Sequence, residues 1–241
     1  MNDYPDAPAG IEIRELHSLD AIFDASHVLA DVWGGDTSGM PPNLLRALAY
    51  SGNYVVGLYD TNSGERMIGA SAAFFGEPSA RTMHSHITGV LPEYQSQGLG
   101  RLLKQHQRDW AFARSVGHIT WTFDPLVARN AHFNLLILGA HVSDYLVDHY
   151  GAMADGVNRG DETDRLFVTW ALAAPRANNP TDTEIVDHVP IPRDIEALRR
   201  SDPAEAERWR RDVRAKFTEL LGHGLAVGGF RDEAGYLFVR A

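Results

Sequence analysis

The chain has 241 residues, of which 44% are hydrophobic, and carries a formal net charge of −10 at pH 7. That is enough to bury a core in one large domain, or in one domain and a substantial extension. No apolar run approaches the roughly 18 residues needed to span a bilayer, the acidic start from Met1 to Asp6 lacks the positive charge of a secretion signal, and the net charge opposes binding to nucleic acid or an anionic membrane. The expected location is cytoplasmic. With no cysteine in the chain, disulfides, thiolate metal sites and an acyl-cysteine route are excluded.

In chain order, Ile11 to Leu16 alternates and predicts a first strand. Ser18 is placed as the N-cap of a helix carrying Ala21, Ile22, Ala25, Val28, Leu29, Val32 and Trp33, closed by Gly34-Gly35. Pro41-Pro42 opens a second helix through Leu44, Leu45, Leu48 and Ala49, which stops near Gly52. Asn53 to Asp60 and Arg66 to Phe75 read as strands joined by the turn residues Thr61 to Glu65. Gly76 to Ser79 then leads into a strand from Arg81 to Val90, with Met83, Ser85, Ile87 and Gly89 on one side and His84, His86 and Thr88 on the other. The sheet thus grows antiparallel toward this strand.

Leu91-Pro92-Glu93-Tyr94 breaks that strand, and Gln95-Ser96-Gln97-Gly98-Leu99-Gly100-Arg101 runs without a proline into a helix. Leu99, Leu102, Leu103, His106, Trp110 and Ala113 give the helix an apolar face, and it opens inside the glycine turn. Helix N-termini present unpaired N–H groups and partial positive charge, and glycine lets a ligand approach the backbone, a combination that holds phosphate. No Lys-Ser or Lys-Thr follows, which excludes a P-loop, and the three glycines of a dinucleotide fingerprint are absent.

The pattern Gln-x-x-Gly-x-Gly, after a strand ending in Val-x-Pro and before a helix, resembles the signature of the GNAT superfamily of CoA-dependent N-acyltransferases. The resemblance implies that Gln95, Ser96, Gln97, Gly98, Leu99, Gly100 and Arg101 hold the CoA pyrophosphate, and that Thr88, Gly89 and Val90 pair with the pantetheine arm. It also implies a bulge near Gly89 that turns an N–H toward the thioester oxygen, an oxyanion site. A glycine that makes room for a neighbouring large side chain is the alternative. Acetyl-CoA, or another acyl-CoA, is the implied co-substrate, with no metal.

His118 to Phe123 is the next strand, ending at Asp124-Pro125, and a helix is expected from about Arg129 to Leu138. Asn130 matches the family's common asparagine at the start of that helix and is assigned to the cofactor. Leu135 stands where many members carry the tyrosine that protonates the leaving thiolate, so the usual acid is missing; Tyr94, Tyr145 and Tyr150 are candidate substitutes, and the alternative is a thiolate that leaves unassisted or takes a proton from water. An attacking ammonium must lose a proton to a group whose pKa lies near working pH. His84, at the position where histone-type members carry a glutamate base, is the first candidate, followed by His86 and Asp124. His84-x-His86 is only half a metal-ligand set.

Asp144 to Val147 and Arg165 to Leu172 are read as two strands joined by the glycine-rich stretch Gly151 to Gly160. Ala173 to Pro180 is a linker by composition, which divides the chain into a main domain, 1–174, and an extension, 175–241. The extension is read as a strand from Thr183 to Val189, a helical turn from Asp194 to Arg200, and a helix capped by Asp202-Pro203. Ala206, Trp209, Val213, Phe217, Leu220 and Leu221 form that helix's apolar face, and Leu225 to Phe230 with Tyr236 to Arg240 make a final hairpin. Arg193, Arg199, Arg200, Arg208, Arg210, Arg211 and Arg214 either hold a carboxylate of the acceptor or donor, or form a solvated face paired with Glu205, Glu207 and Asp212.

The expected fold is α/β, a GNAT-like mixed, mostly antiparallel central sheet flanked by helices, with a C-terminal helix and β-hairpin. The expected reaction moves an acetyl group from acetyl-CoA to a primary amine of a small molecule by direct attack in a ternary complex. An N-succinyltransferase with an amino-acid-like acceptor and a non-catalytic CoA sensor are the alternatives. No nucleic-acid or membrane partner is expected; a homodimer is compatible with this reading.

Overall fold

The computed structural model describes residues 8–34, 40–151, 161–175 and 178–241. Gly35, most of the glycine-rich connection after Gly151 and two residues of the expected linker lie outside these. The chain divides into two compact units, Met1–Ile119 and Thr120–Ala241.

In the first unit, strands β1 (Ile11–Glu15), β2 (Tyr54–Asp60), β3 (Arg66–Phe75) and β4 (Thr82–Val90) lie side by side in sequence order, each antiparallel to the next. Helix α1 (Leu19–Trp33) starts where Ser18 Oγ accepts from the Ala21 N–H at 3.2 Å, and it ends at Gly34, whose φ of 64° is left-handed. Helix α2 (Pro42–Tyr50) carries its proline at N1, where a missing N–H costs nothing. Helix α3 (Leu99–Phe112) follows the glycine turn.

The central strand β3 is buried from Met67 to Ala73, on both of its faces. One face, with Ala70 and Ala72, joins a core of Ile22, Ala25, Leu29, Leu45 and Val55 beneath α1 and α2. Ser71 points the other way, to Gln107 on α3. Small residues let both helix layers approach the strand closely.

The β3–β4 ladder is regular from Gly69–Val90 to Ala72–Ile87, and then Ala73 pairs with Ser85. His86 is therefore the extra residue of a bulge. This interrupts the simple alternation read from the sequence: Met83 and Ser85 are buried, but beyond the bulge the adjacent pair Gly89 and Val90 is buried.

In the second unit, β5 (His118–Phe123, which begins in the first unit), β7 (Arg165–Ala171) and β6 (His141–Leu146) are neighbours in that order, with β6 and β7 antiparallel. Helix α4 (Ala128–Ala131) continues as a π-helical stretch, His132–Ile137. The C-terminal part has α5 (Ile195–Ser201), α6 (Pro203–Gly222) and a three-stranded sheet in the order β8 (Asp187–Val189), β10 (Gly235–Arg240), β9 (Leu225–Arg231). Of the strand expected from Thr183 to Val189, Asp187–Val189 form β8, and the Val186 N–H also donates to the Phe238 carbonyl at 2.8 Å. Asp202 caps α6 by accepting from the Glu205 N–H at 3.0 Å.

The buried stripe of α6 is Ala206, Arg210, Val213, Phe217 and Leu220. Its spacing of four and three residues is that of a core-facing helix, with an arginine in place of the expected Trp209. Phe217 packs edge-on against Tyr236 and Phe238, with ring centroids 5.0 and 5.2 Å away. Among the described residues, no helix is long and apolar enough to cross a membrane.

Candidate active site

The glycine turn is built as an anion cradle. Gly98 is the N-cap of α3 with φ 79°, a conformation that disfavours a side chain. Gly98 supplies no side-chain cap, and the first-turn N–H groups of a helix, here beginning with Leu99 and Gly100, have no intrahelical acceptor. A Cβ added at Gly98 or Gly100 would meet nothing within 4 Å, so no described side chain packs on the turn at these two positions. Ser96 also has a positive φ, 63°, rare for a residue with a side chain and typical of strained functional loops. These features fit a diphosphate such as that of CoA.

The loop is braced from behind. Gln95 Nε2 donates to the Val90 carbonyl at 3.0 Å, tying the loop to the end of β4. The Tyr94 hydroxyl donates to Asp60 Oδ2 at 3.3 Å, and Asp60 also accepts from the Asn62 N–H and the Ser63 hydroxyl. Ser63's hydrogen bond leads the interactions that hold the Asp60 carboxyl below its ordinary pKa. Arg66 pairs with Glu93 at 2.9 Å and lies over the Tyr94 ring. Tyr94, a candidate acid in the sequence, is thus committed to holding the loop.

Thr88, Gly89 and Val90 continue the regular ladder to β3, and the bulge in that ladder lies at His86. A Cβ at Gly89 would come within 3.0 Å of Val32 on α1, so close packing by a neighbouring side chain accounts for this glycine. The Thr88 hydroxyl is 2.7 Å from Ser71 Oγ.

His84 and His86 are brought together. Their ring centroids are 6.2 Å apart, and Phe74 lies 5.3 Å from His84 and 5.8 Å from His86. Desolvation holds the His86 pKa below the ordinary histidine value, which favours the neutral, proton-accepting form.

The candidates in the second unit behave differently. Asp124 is not a free base. Its Oδ1 accepts from Arg210 Nη1 and the Leu126 N–H at 2.8 and 2.9 Å, and its Oδ2 accepts from Arg210 Nη2 and Arg199 Nη2 at 2.9 and 2.6 Å. Burial alone would raise its pKa, but the bonds and charges of Arg210 and Arg199 outweigh that and hold it well below the usual carboxylate range. Asp161 pairs with the same two arginines, at 2.7 Å to Arg199 and 2.8 Å to Arg210. Arg214 grips Asp164. Arg208 is exposed and pairs with Glu205 one turn away, as the solvated-face reading expects, whereas Arg199, Arg210 and Arg214 have other carboxylate partners within the chain and Arg210 is buried.

The remaining tyrosines are engaged as well. Tyr145 donates to Asp164 Oδ2 at 2.6 Å, and burial, then Asp164, raises its pKa. Tyr150 shares a hydrogen bond with Thr122 at 2.9 Å. Leu135 is buried in the π-helical stretch beside Asn134, whose Oδ1 accepts from Trp121 Nε1 at 3.1 Å. Asn130, half-buried, lies in α4, at the start of the helical run that continues to Ile137. Among the described residues, no group of three or more His, Asp or Glu is arranged to hold a metal.

Sequence reasoning missed Lys104 and Gln107, both buried on α3. Their type points outward, and only the three- and four-residue spacing with Leu103, Trp110 and Ala111 carries a signal that they face inward.

Residues 17–133 match the family model described as the acetyltransferase (GNAT) family. No curated protein matches the sequence. Among solved structures, the chain is similar to yncA from Salmonella typhimurium, solved with its cofactor acetyl-CoA, at 17% identity over 72% of this chain and 100% of that one, with a TM-score of 0.53. It is similar to the ribosomal-protein-S18-alanine N-acetyltransferase from Escherichia coli at 18% identity over 71% and 99% of the two chains, TM-score 0.53. An N-acetyltransferase from Staphylococcus aureus Mu50 gives 10% identity over 68% and 99%, TM-score 0.55. At these identities the likeness is one of fold.

Proposed function

Because residues 17–133 form a GNAT acetyltransferase domain, and the chain is an acyltransferase of that type, we propose that it transfers an acetyl group from acetyl-CoA to a primary amine of a small molecule. The amine attacks the thioester carbonyl directly, in a ternary complex. The observation that carries the donor assignment is the left-handed Gly98 at the start of α3, where the first-turn N–H groups have no intrahelical acceptor. In this reading the amides of residues 95–101 hold the pyrophosphate, Thr88, Gly89 and Val90 lie along the pantetheine arm, and Asn130 assists the cofactor.

His84 takes the proton that the attacking ammonium must lose, directly or through a water, with His86 as the second candidate. Attack forms the C–N bond, the carbonyl oxygen takes up negative charge, and collapse expels the CoA thiolate, which is protonated by water. The net charge of −10 favours a cationic amine over an anionic polymer.

The test is thermal melting with CoA, acetyl-CoA and succinyl-CoA, followed by thiol release with small amines and with peptides bearing a free N-terminus. A ligand at 100 times its Kd stabilises by about 2.7 kcal/mol. Acetyl-CoA should raise Tm, and Gly98→Glu should remove the rise. No shift with any thioester sinks the donor assignment, release with peptides alone replaces the small-molecule acceptor, and preference for succinyl-CoA replaces the acetyl group.

A further inference from the structure

Helix α3 buries Lys104, Gln105 and Gln107, although a phosphate-binding turn needs only the helix N-terminus. Two of these side chains reach the sheet. Lys104 Nζ lies 2.7 Å from Ser85 Oγ and 3.5 Å from Gln107 Oε1. Gln107 Nε2 donates to Ser71 Oγ at 3.4 Å, and the Ser71 hydroxyl donates to the Ile87 carbonyl at 3.2 Å. Ser71 Oγ also lies 2.7 Å from Thr88 Oγ1. The donor count closes: the Ser71 oxygen accepts from Thr88 and Gln107, and its single proton goes to Ile87.

Ser85 and Ile87 flank His86, the extra residue of the β4 bulge. Each flank therefore has its own side-chain tether, Ser85 to Lys104 and Ile87 to Ser71, which Gln107 in turn holds. A bulge re-aims the side chains around it, and one without such ties can slip by a residue. Burying an amine is also costly; desolvation lowers the Lys104 pKa to about 7. A well-packed apolar residue at 104 would serve stability as well or better.

We infer that Lys104 and Gln107 are positioning residues, which fix the His86 bulge through Ser85 and Ser71 and thereby set the ring positions of His84 and His86. Helix α3 thus orders both the phosphate turn at its start and the histidine pair alongside it. The inference rests on the proposed function only in taking those histidines as proton acceptors.

The experiment uses the full chain with Lys104→Met, Ser85→Ala, their double variant and Gln107→Leu. Histidine ring resonances are followed by NMR with His188 as the reference, and steady-state rates are measured across pH. The single variants should displace the His84 and His86 signals and leave His188 in place. They should lower kcat about tenfold or more, move the midpoint of the pH–rate profile, and change KM for acetyl-CoA by less than about threefold. The double variant should be no worse than the worse single one, as expected for two residues acting as a unit. Unmoved signals and an unmoved pH midpoint in folded variants overturn the inference. If His84→Gln and His86→Gln keep full turnover while Lys104→Met still moves the ring signals, the proton-acceptor reading falls and the positioning stands.

Discussion

Arg210 on α6 holds Asp124 at the end of β5 with two parallel bonds, Nη1 to Oδ1 at 2.8 Å and Nη2 to Oδ2 at 2.9 Å, while the arginine is only 1% exposed. The sequence put these residues in different roles, a candidate base and one of a cluster of arginines that either hold a carboxylate or form a solvated face. Together they are a buried pin inside the second unit, shared with Arg199 and Asp161.

Removing one member of this pin should be far worse than removing both. Asp124→Asn leaves Arg210 with a buried charge that is only partly compensated, at a cost of about 3–5 kcal/mol, whereas Asp124→Leu with Arg210→Met should recover much of it. Urea unfolding of the three variants checks the order. The pH dependence follows from the depressed carboxyl. As pH falls below the ordinary value of 3.8, the unfolded chain takes up the proton first. The stabilisation is therefore complete above that pH and is lost as pH falls through the folded-state value. Asp124→Asn should flatten this acid limb.

Lys104 predicts a slope of the opposite origin. Its folded-state pKa is about 7 against an ordinary 10.5, through desolvation. Between those values the unfolded chain holds a proton that the folded chain has released, so stability rises with pH at up to about 1.4 kcal/mol per unit. Below 7 the amine is charged in both states and the burial cost is carried in full. Denaturant curves at pH 7, 8 and 9 should show the native chain gaining on Lys104→Met; parallel lines would sink the assignment.

Tyr94→Phe should weaken cofactor binding without touching chemistry. It loses the bond to Asp60 that braces the loop, worth about 0.5–1.5 kcal/mol. KM for acetyl-CoA should rise by roughly twofold to thirteenfold by that range, with kcat unchanged. A fall in kcat with KM unchanged would instead mark Tyr94 as part of the reaction.

Ser96→Gly should stabilise the chain by about 0.5–1 kcal/mol, because the positive φ at this position strains a residue with a side chain. Calorimetry measures the gain. If the strain orders the cradle for phosphate, acetyl-CoA affinity should fall in the same variant.

Between the histidines, pH decides. Desolvation lowers the His86 pKa from 6.5, so if His86 accepts the proton the acid limb of kcat/KM must lie below that value and vanish in His86→Gln. If His84 accepts it, His84→Gln should cost roughly 10²–10⁴ in rate, while His86→Gln keeps the limb.

Local patterns were legible because their physics is local. Ser18, Asp202 and the prolines mark helix starts through groups within a few residues of themselves, and the hairpin Tyr54 to Phe75 is specified by alternation and turn chemistry. The glycine turn before Leu99 belongs here too, since a left-handed φ and free helix amides need nothing from elsewhere in the chain.

What the sequence did not carry is the fate of polar groups whose partners are distant in sequence. Lys104 and Ser85 are joined across a helix and a strand, and Asp124 meets Arg210 over 86 positions. Neither pairing has a period or a spacing to read. The bulge at His86 likewise depends on which residue of β3 faces which residue of β4. The sequence by itself determined most of the elements, the glycine turn and the acyltransferase resemblance. Only the tertiary structure decided which charges are buried, because a buried charge is tolerated or ruinous according to partners that folding alone brings within 3 Å.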